Sequence, residues 1–155
     1  SPSILDLGTG SGAIALSLAH NLLTARVTAT DINPKSLEVA QRNAQKLNLD
    51  MKCHFVESSW FDHLPIQEEN LFDLIITNPP YIAVQDEHLK QGDLRFEPIQ
   101  ALTDRADGLS AYRTIISKSP LYLKKSGYLV LEHGYNQSQQ VCPLLHHQGF
   151  LELGF

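Results

Sequence analysis

Ser3-Ile4-Leu5-Asp6-Leu7-Gly8-Thr9-Gly10-Ser11-Gly12-Ala13 passes from an apolar run through three glycines into an amphipathic stretch. The run reads as a buried strand. Glycines placed there let the backbone take positive φ and approach a ligand with no Cβ in the way. Ser11 to Leu23, with Ile14, Leu16, Leu18 and Leu22 apolar, predicts a helix. Its free N–H groups favour a polar or anionic ligand. Strand, glycine turn and helix in that order open a βαβ unit. They point to an α/β fold with a mainly parallel sheet and helices on both faces.

The pattern repeats along the chain. Arg26 to Thr30 predicts a second strand. Asn33 is placed to cap a second helix, with Pro34 at its first position, running to about Lys46. Met51 to Val56 and Leu71 to Thr77 predict strands three and four. The stretch 82–107 is polar and turn-rich, a length usually kept for function. A helix is expected from Ser110 to about Lys124, kinked or broken at Pro120, with Lys124-Lys125 at its C-terminus where the dipole favours cations. Tyr128 to Glu132 predicts strand five, Gln137 to His147 a last helix, and Phe150 to Phe155 a terminal strand.

Asp31 ends strand two, 19 residues after Gly12. A carboxylate there can accept from both hydroxyls of a ribose. Gly8-x-Gly10-x-x-Ala13 also satisfies the dinucleotide fingerprint. On spacing alone, a nicotinamide cofactor and S-adenosylmethionine fit equally well, and a tight turn without a ligand is the plain reading. Ser58-Ser59-Trp60-Phe61 follows strand three at the edge where open α/β sheets bind ligands. Trp60 is the better candidate to lie on a base, and Phe61 the better candidate for the core.

Strand four runs into Asn78-Pro79-Pro80-Tyr81. Both prolines lack an N–H and have a fixed φ, so neither continues a central ladder. The corner leaves backbone carbonyls beside an amide and an aromatic ring. It can accept the hydrogens of a planar N–H₂ group and stack on its face. By itself it is equally a proline-rich turn, and it does not choose between adenine and a carboxamide.

The chain has 155 residues, enough for one domain. Its net charge of −5 argues against a duplex nucleic-acid binder, which normally carries a basic stripe. The cysteines, Cys53 and Cys142, lack metal spacing and read as reduced thiols. His146-His147 are adjacent and diverge on a helix, so no metal is expected. No membrane-length apolar run appears. Abrupt ends suggest a domain cut from a longer protein.

Taken together, Asp6 to Gly12, Asp31 and Asn78 to Tyr81 resemble a class I S-adenosylmethionine-dependent methyltransferase. Gln91 to Pro98, Ala101-Leu102, Asp107-Gly108 and Leu131-Glu132-His133-Gly134 narrow the resemblance to the HemK/PrmC family, the N5-glutamine methyltransferases of class-1 peptide-chain release factors. It implies a Rossmann-like fold over residues 1–155 as catalytic domain, without the family's N-terminal helical domain or its terminal hairpin. It implies that Gly8, Thr9, Gly10, Ser11 and Gly12 wrap the methionine and ribose of S-adenosylmethionine, with Asp31 on the ribose, Trp60 near the adenine and Asn78 at the reacting end. Asn78, Pro79, Pro80 and Tyr81 would receive the glutamine of a Gly-Gly-Gln loop, with Asn78, Pro79 and Tyr81 performing the catalysis. Ser59 departs from an acidic residue common in the family, which weakens the expected adenine contact. The expected partner is a release factor, with no direct DNA or membrane binding, in a cytoplasmic (mitochondrial in a eukaryote) monomer. The rival readings are an amino-methyltransferase acting on adenine in DNA and a non-catalytic S-adenosylmethionine-binding module.

Overall fold

The computed structural model describes residues 1–80, 107–151 and Gly154. Tyr81 and the Gln91–Pro98 and Ala101-Leu102 segments lie outside the described residues. The chain divides into two units: Ser1–Asn78 with Ser119–Leu131, and Pro79–Lys118 with Glu132–Phe155.

The first unit holds strands β1 (Ser3–Leu7), β2 (Arg26–Asp31), β3 (Cys53–Glu57), β4 (Phe72–Thr77) and β5 (Leu123–Leu131), with helices α1 (Ala13–Asn21) and α2 (Pro34–Lys46). The sheet is parallel, in the order β3-β2-β1-β4-β5. Strand order reverses beside β1, the switch point at which open α/β sheets bind ligands. Ile4, Leu5, Asp6 and Leu7 are all buried, as a central parallel strand covered on both faces requires. Ile4 packs with Ala15, Leu16 and Ala19 of α1, Val27 and Ala29 of β2, and Ala44 of α2. The small alanines let these helices approach the sheet closely.

Both helix starts have local causes. Asn33 accepts from the Lys35 N–H at 3.1 Å and Pro34 takes the first helical position, as the sequence predicts. Gly12, at φ 86°, stands outside α1, which therefore opens at Ala13 rather than Ser11.

Three expectations are corrected. The helix from Ser110 ends at Lys118, and Ser119–Leu121 forms a 3-10 turn. Pro120 has no N–H to donate and its ring crowds the carbonyl one turn earlier. Lys124 and Lys125 consequently lie in β5, which begins at Leu123, rather than at a helix end. The β4–β5 register jumps from Phe72↔Leu123 to Leu74↔Tyr128, so Lys124 to Gly127 bulge out of the ladder. Lys124 Nζ returns to Asp73 at 2.8 Å. Third, the ends of other elements shift: β3 starts at Cys53 after a turn closed by Lys52 N–H on the Leu49 carbonyl, and of the expected terminal strand Phe150, Leu151 and Gly154 are not in a strand, while Glu152, Leu153 and Phe155 lie outside the described residues.

The second unit holds α3 (Ser110–Lys118) and α4 (Ser138–His147). The buried Tyr112 hydroxyl donates to the Glu132 carbonyl at 2.9 Å. Asp107 accepts from the Leu109 N–H and pairs with Arg113, the bond to Arg113 holding its carboxyl below the usual range.

Candidate functional site

The ends of β1 to β4 bring the predicted donor-site residues of the first unit together. Gly8, Gly10 and Gly12 have φ of 71°, 57° and 86°, left-handed values that strain any residue with a Cβ. At Gly12 a Cβ would also stand 3.2 Å from that of Ala40. The turn is braced from within. Thr9 donates its N–H to the Thr30 carbonyl and its hydroxyl to Asp6 Oδ2, at 2.9 and 2.7 Å. Asp6 Oδ2 also accepts the Ala15 N–H at 3.2 Å. Thr9 thus faces inward, while Ser11 is exposed and its carbonyl accepts from Asn43 at 3.0 Å.

Asp6 is 1% exposed and its Oδ1 has no protein hydrogen-bond partner. Burial pushes its pKa from 3.8 to about 6, against the pull of Thr9 and Ala15 and with a small push from Asp31. A partnerless carboxylate oxygen beneath a glycine turn is a costly feature. Within the sequence motif Asp6 carries no assigned role; its signal is a lone carboxylate in an apolar strand.

Asp31 Oδ2 accepts the Gly10 N–H at 2.9 Å and Oδ1 accepts the Asn33 N–H at 2.8 Å. Each oxygen keeps a lone pair for a further donor. Ile32 follows, 68% exposed, an apolar side chain beside the acceptor that the sequence reading passes over. The turn after β3 closes the far side: Trp60 is partly exposed and its indole lies 3.5 Å from where a Cβ on Gly8 would stand. Phe61 is buried and stacks on Tyr122, with centroids 4.6 Å apart, as the core reading of Phe61 expects.

At the other side of β1, Thr77 pairs with Leu7, so Asn78 and Gly8 leave the sheet from neighbouring strand ends. Asn78 is exposed and Pro79 buried. Pro80 is partly exposed, and Tyr81 is outside the described residues. Glu132 and His133 use the Glu132 carbonyl and the His133 ring in local bonds to Tyr112 and Gly134. Among the described residues, no group of three or more His, Cys, Asp or Glu could hold a metal, and no helix is long and apolar enough to cross a membrane.

A glycine turn at the switch point, a carboxylate ending β2 and an amide ending β4 define a Rossmann-like methyltransferase arrangement. The chain belongs to the family described as Methyltransferase domain, whose model matches residues 2–149. Within it, the HemK/PrmC resemblance is borne out by curated relatives. The chain is 47% identical over 152 residues to the release factor glutamine methyltransferase of Bordetella pertussis, covering 98% of this chain and 55% of that one. It is 48% identical to that of Xylella fastidiosa strain Temecula1, covering 96% and 52%. The chain thus spans about half the length of the curated relatives it matches. Among solved structures, TrmN from Thermus thermophilus is 26% identical at a TM-score of 0.64, covering 95% of this chain and 36% of that one. The ribosomal protein L11 methylase of Lactobacillus delbrueckii subsp. bulgaricus shares the fold at a TM-score of 0.66 and 23% identity, covering 95% and 59%.

Proposed function

We propose that this chain is the catalytic domain of an enzyme that transfers a methyl group from S-adenosylmethionine to the side-chain amide nitrogen of the Gly-Gly-Gln glutamine in class-1 peptide-chain release factors. The relatives' name supports the acceptor class. The observation that supports the reading is the pairing of Thr77 with Leu7, from which Asn78 and Gly8 leave the sheet at neighbouring strand ends.

The residues present fit S-adenosylmethionine. Gly8 and Gly10 offer backbone without a Cβ, and nothing lies within 4 Å of where a Cβ on Gly10 would be. Asp31 keeps acceptor capacity for ribose hydroxyls, and Asp6 Oδ1 is a buried acceptor without a partner. Gly12, Thr9 and Ser11 complete the turn, Trp60 and Ile32 supply apolar surface for the base, and Asn78 borders the reacting end. When bound, the cofactor supplies an electrophilic methyl group on a sulfonium.

A carboxamide nitrogen is a poor nucleophile because its lone pair is delocalised. The Asn78 side-chain oxygen and the Pro79 carbonyl would accept its two hydrogens and fix its direction. Pro80 stiffens the corner, and Tyr81 would wall off the amide plane. The gain is mainly positioning, which reaches roughly 7–11 kcal/mol in favourable systems, with dipoles aimed at developing positive charge. No base is required, because the nitrogen becomes acidic once methylated. The enzyme would act as a cytoplasmic monomer on its protein partner.

The test is mass spectrometry of a release factor incubated with the full-length protein and S-adenosylmethionine. The expected product carries a single added methyl on the Gly-Gly-Gln glutamine. Methylated adenine in DNA with an unmodified release factor would reverse the acceptor assignment; cofactor binding without any transfer would leave a binding module.

A further inference from the structure

Trp60 has a φ of 52°, a left-handed backbone that is an outlier for a bulky residue. Such strain persists only where the surroundings over-determine it. The turn that carries Trp60 is fastened at both ends. Ser58 is buried; its N–H donates to the Asp31 carbonyl at 3.0 Å, and its hydroxyl oxygen accepts the His63 N–H at 3.0 Å. His63 Nδ1 lies 2.7 Å from the Glu57 carbonyl. That carbonyl can only accept, so the ring carries its hydrogen on Nδ1. Below, the Tyr122 hydroxyl lies 3.2 Å from the Leu64 carbonyl and 3.4 Å from that of Phe61, sharing its one hydrogen between them, while its ring stacks on Phe61. Between these anchors the Asp62 N–H closes onto the Ser59 carbonyl at 3.1 Å.

We propose that His63 is a positioning residue of the donor site: by bonding the Glu57 carbonyl it locks the Ser58–His63 turn, holds Trp60 left-handed and seats the indole against Gly8. This rests on the methyl-donor reading above. His63 is exposed, at the surface end of the turn, and acts only through Trp60. Without the latch the turn relaxes, the indole leaves the glycine turn, and a ligand must re-seat it on binding. The latch is thus a preorganising device, whose loss appears in affinity.

The chain has a single tryptophan, so its emission reports this indole alone. His63→Ala should shift the emission of the free chain and weaken S-adenosylhomocysteine binding, measured by calorimetry, by about tenfold, the scale of one lost hydrogen bond. His63→Asn, whose side-chain N–H₂ stands where Nδ1 does, should restore both. In a Trp60→Ala background, His63→Ala should weaken binding no further, because the two residues act as one unit. Unchanged emission in His63→Ala, or additive losses in the double variant, would overturn the inference. A parent chain that binds no S-adenosylhomocysteine would instead overturn the donor reading, while the emission of His63→Ala still decides whether the latch holds the indole.

Discussion

The Thr77 hydroxyl donates to the Leu7 carbonyl at 2.7 Å, side chain to backbone, at the buried ends of β4 and β1. Leu7 leads into the glycine turn and Thr77 into Asn78. One hydrogen bond therefore ties the two halves of the proposed site at their roots. Thr77→Val keeps the shape but leaves that carbonyl without its side-chain donor. The expected cost is about 1–3 kcal/mol of stability, read by urea denaturation. A variant as stable as the parent would refute the tie.

Asn78→Ala should reduce methyl transfer by roughly 100-fold or more, since the acceptor loses its alignment. Cofactor affinity should remain close to the parent's. Steady-state kinetics of the full-length protein, with calorimetry alongside, separate the two effects. Normal turnover would sink the catalytic role of the amide.

Asp31→Ala should act the opposite way. Losing charge-assisted bonds of about 1.5–3 kcal/mol each should weaken cofactor binding by roughly 10- to 100-fold. Calorimetric titration with S-adenosylhomocysteine checks it, and an unchanged affinity removes the ribose assignment.

Asp6 predicts an unusual pH response. Its folded pKa, about 6, lies above the ordinary 3.8. Below both values the carboxyl is neutral in either state and costs nothing. As pH rises from about 4 to 6 the unfolded chain releases the proton first, so the folded state loses stability. Above 6 the full penalty is present, on the order of 2–3 kcal/mol. Asp6→Asn keeps one acceptor oxygen and removes the charge. Relative to this variant, the parent's melting temperature should fall between pH 4 and 6; parallel curves would show that Asp6 is not strained when ionised.

Gly127→Ala would place a Cβ 2.9 Å from Leu123 Cδ2, 3.0 Å from the Phe72 carbonyl and 3.1 Å from the Lys124 carbonyl. Two of these neighbours are backbone and cannot swing aside. The β4–β5 bulge should loosen at a cost of about 1–3 kcal/mol, visible as a lowered melting temperature.

What could be read from the sequence was what local chemistry dictates. The glycine turn, the Asn33-Pro34 helix start and the apolar β1 and β4 runs carry their own instructions. What escaped depends on partners distant in sequence. Lys124-Lys125 looks like a helix end until Asp73 holds Lys124 on a bulge of β5. Asp6 looks like one letter of a motif until burial raises its pKa. His63 has no pattern of its own; its bond to Glu57 exists only because the turn folds back on itself.

The double anchoring of Asp31 also bears on which ligands the site would turn away. Both oxygens are held by backbone N–H groups, of Gly10 and Asn33, so the carboxylate cannot rotate aside to make room for another anion. A nucleotide with a phosphate on its ribose would set like charges against each other, and the pinned oxygens leave it no way to retreat. In the proposed donor site the fixed acceptor would thus also act as a filter, favouring neutral hydroxyls over phosphorylated sugars.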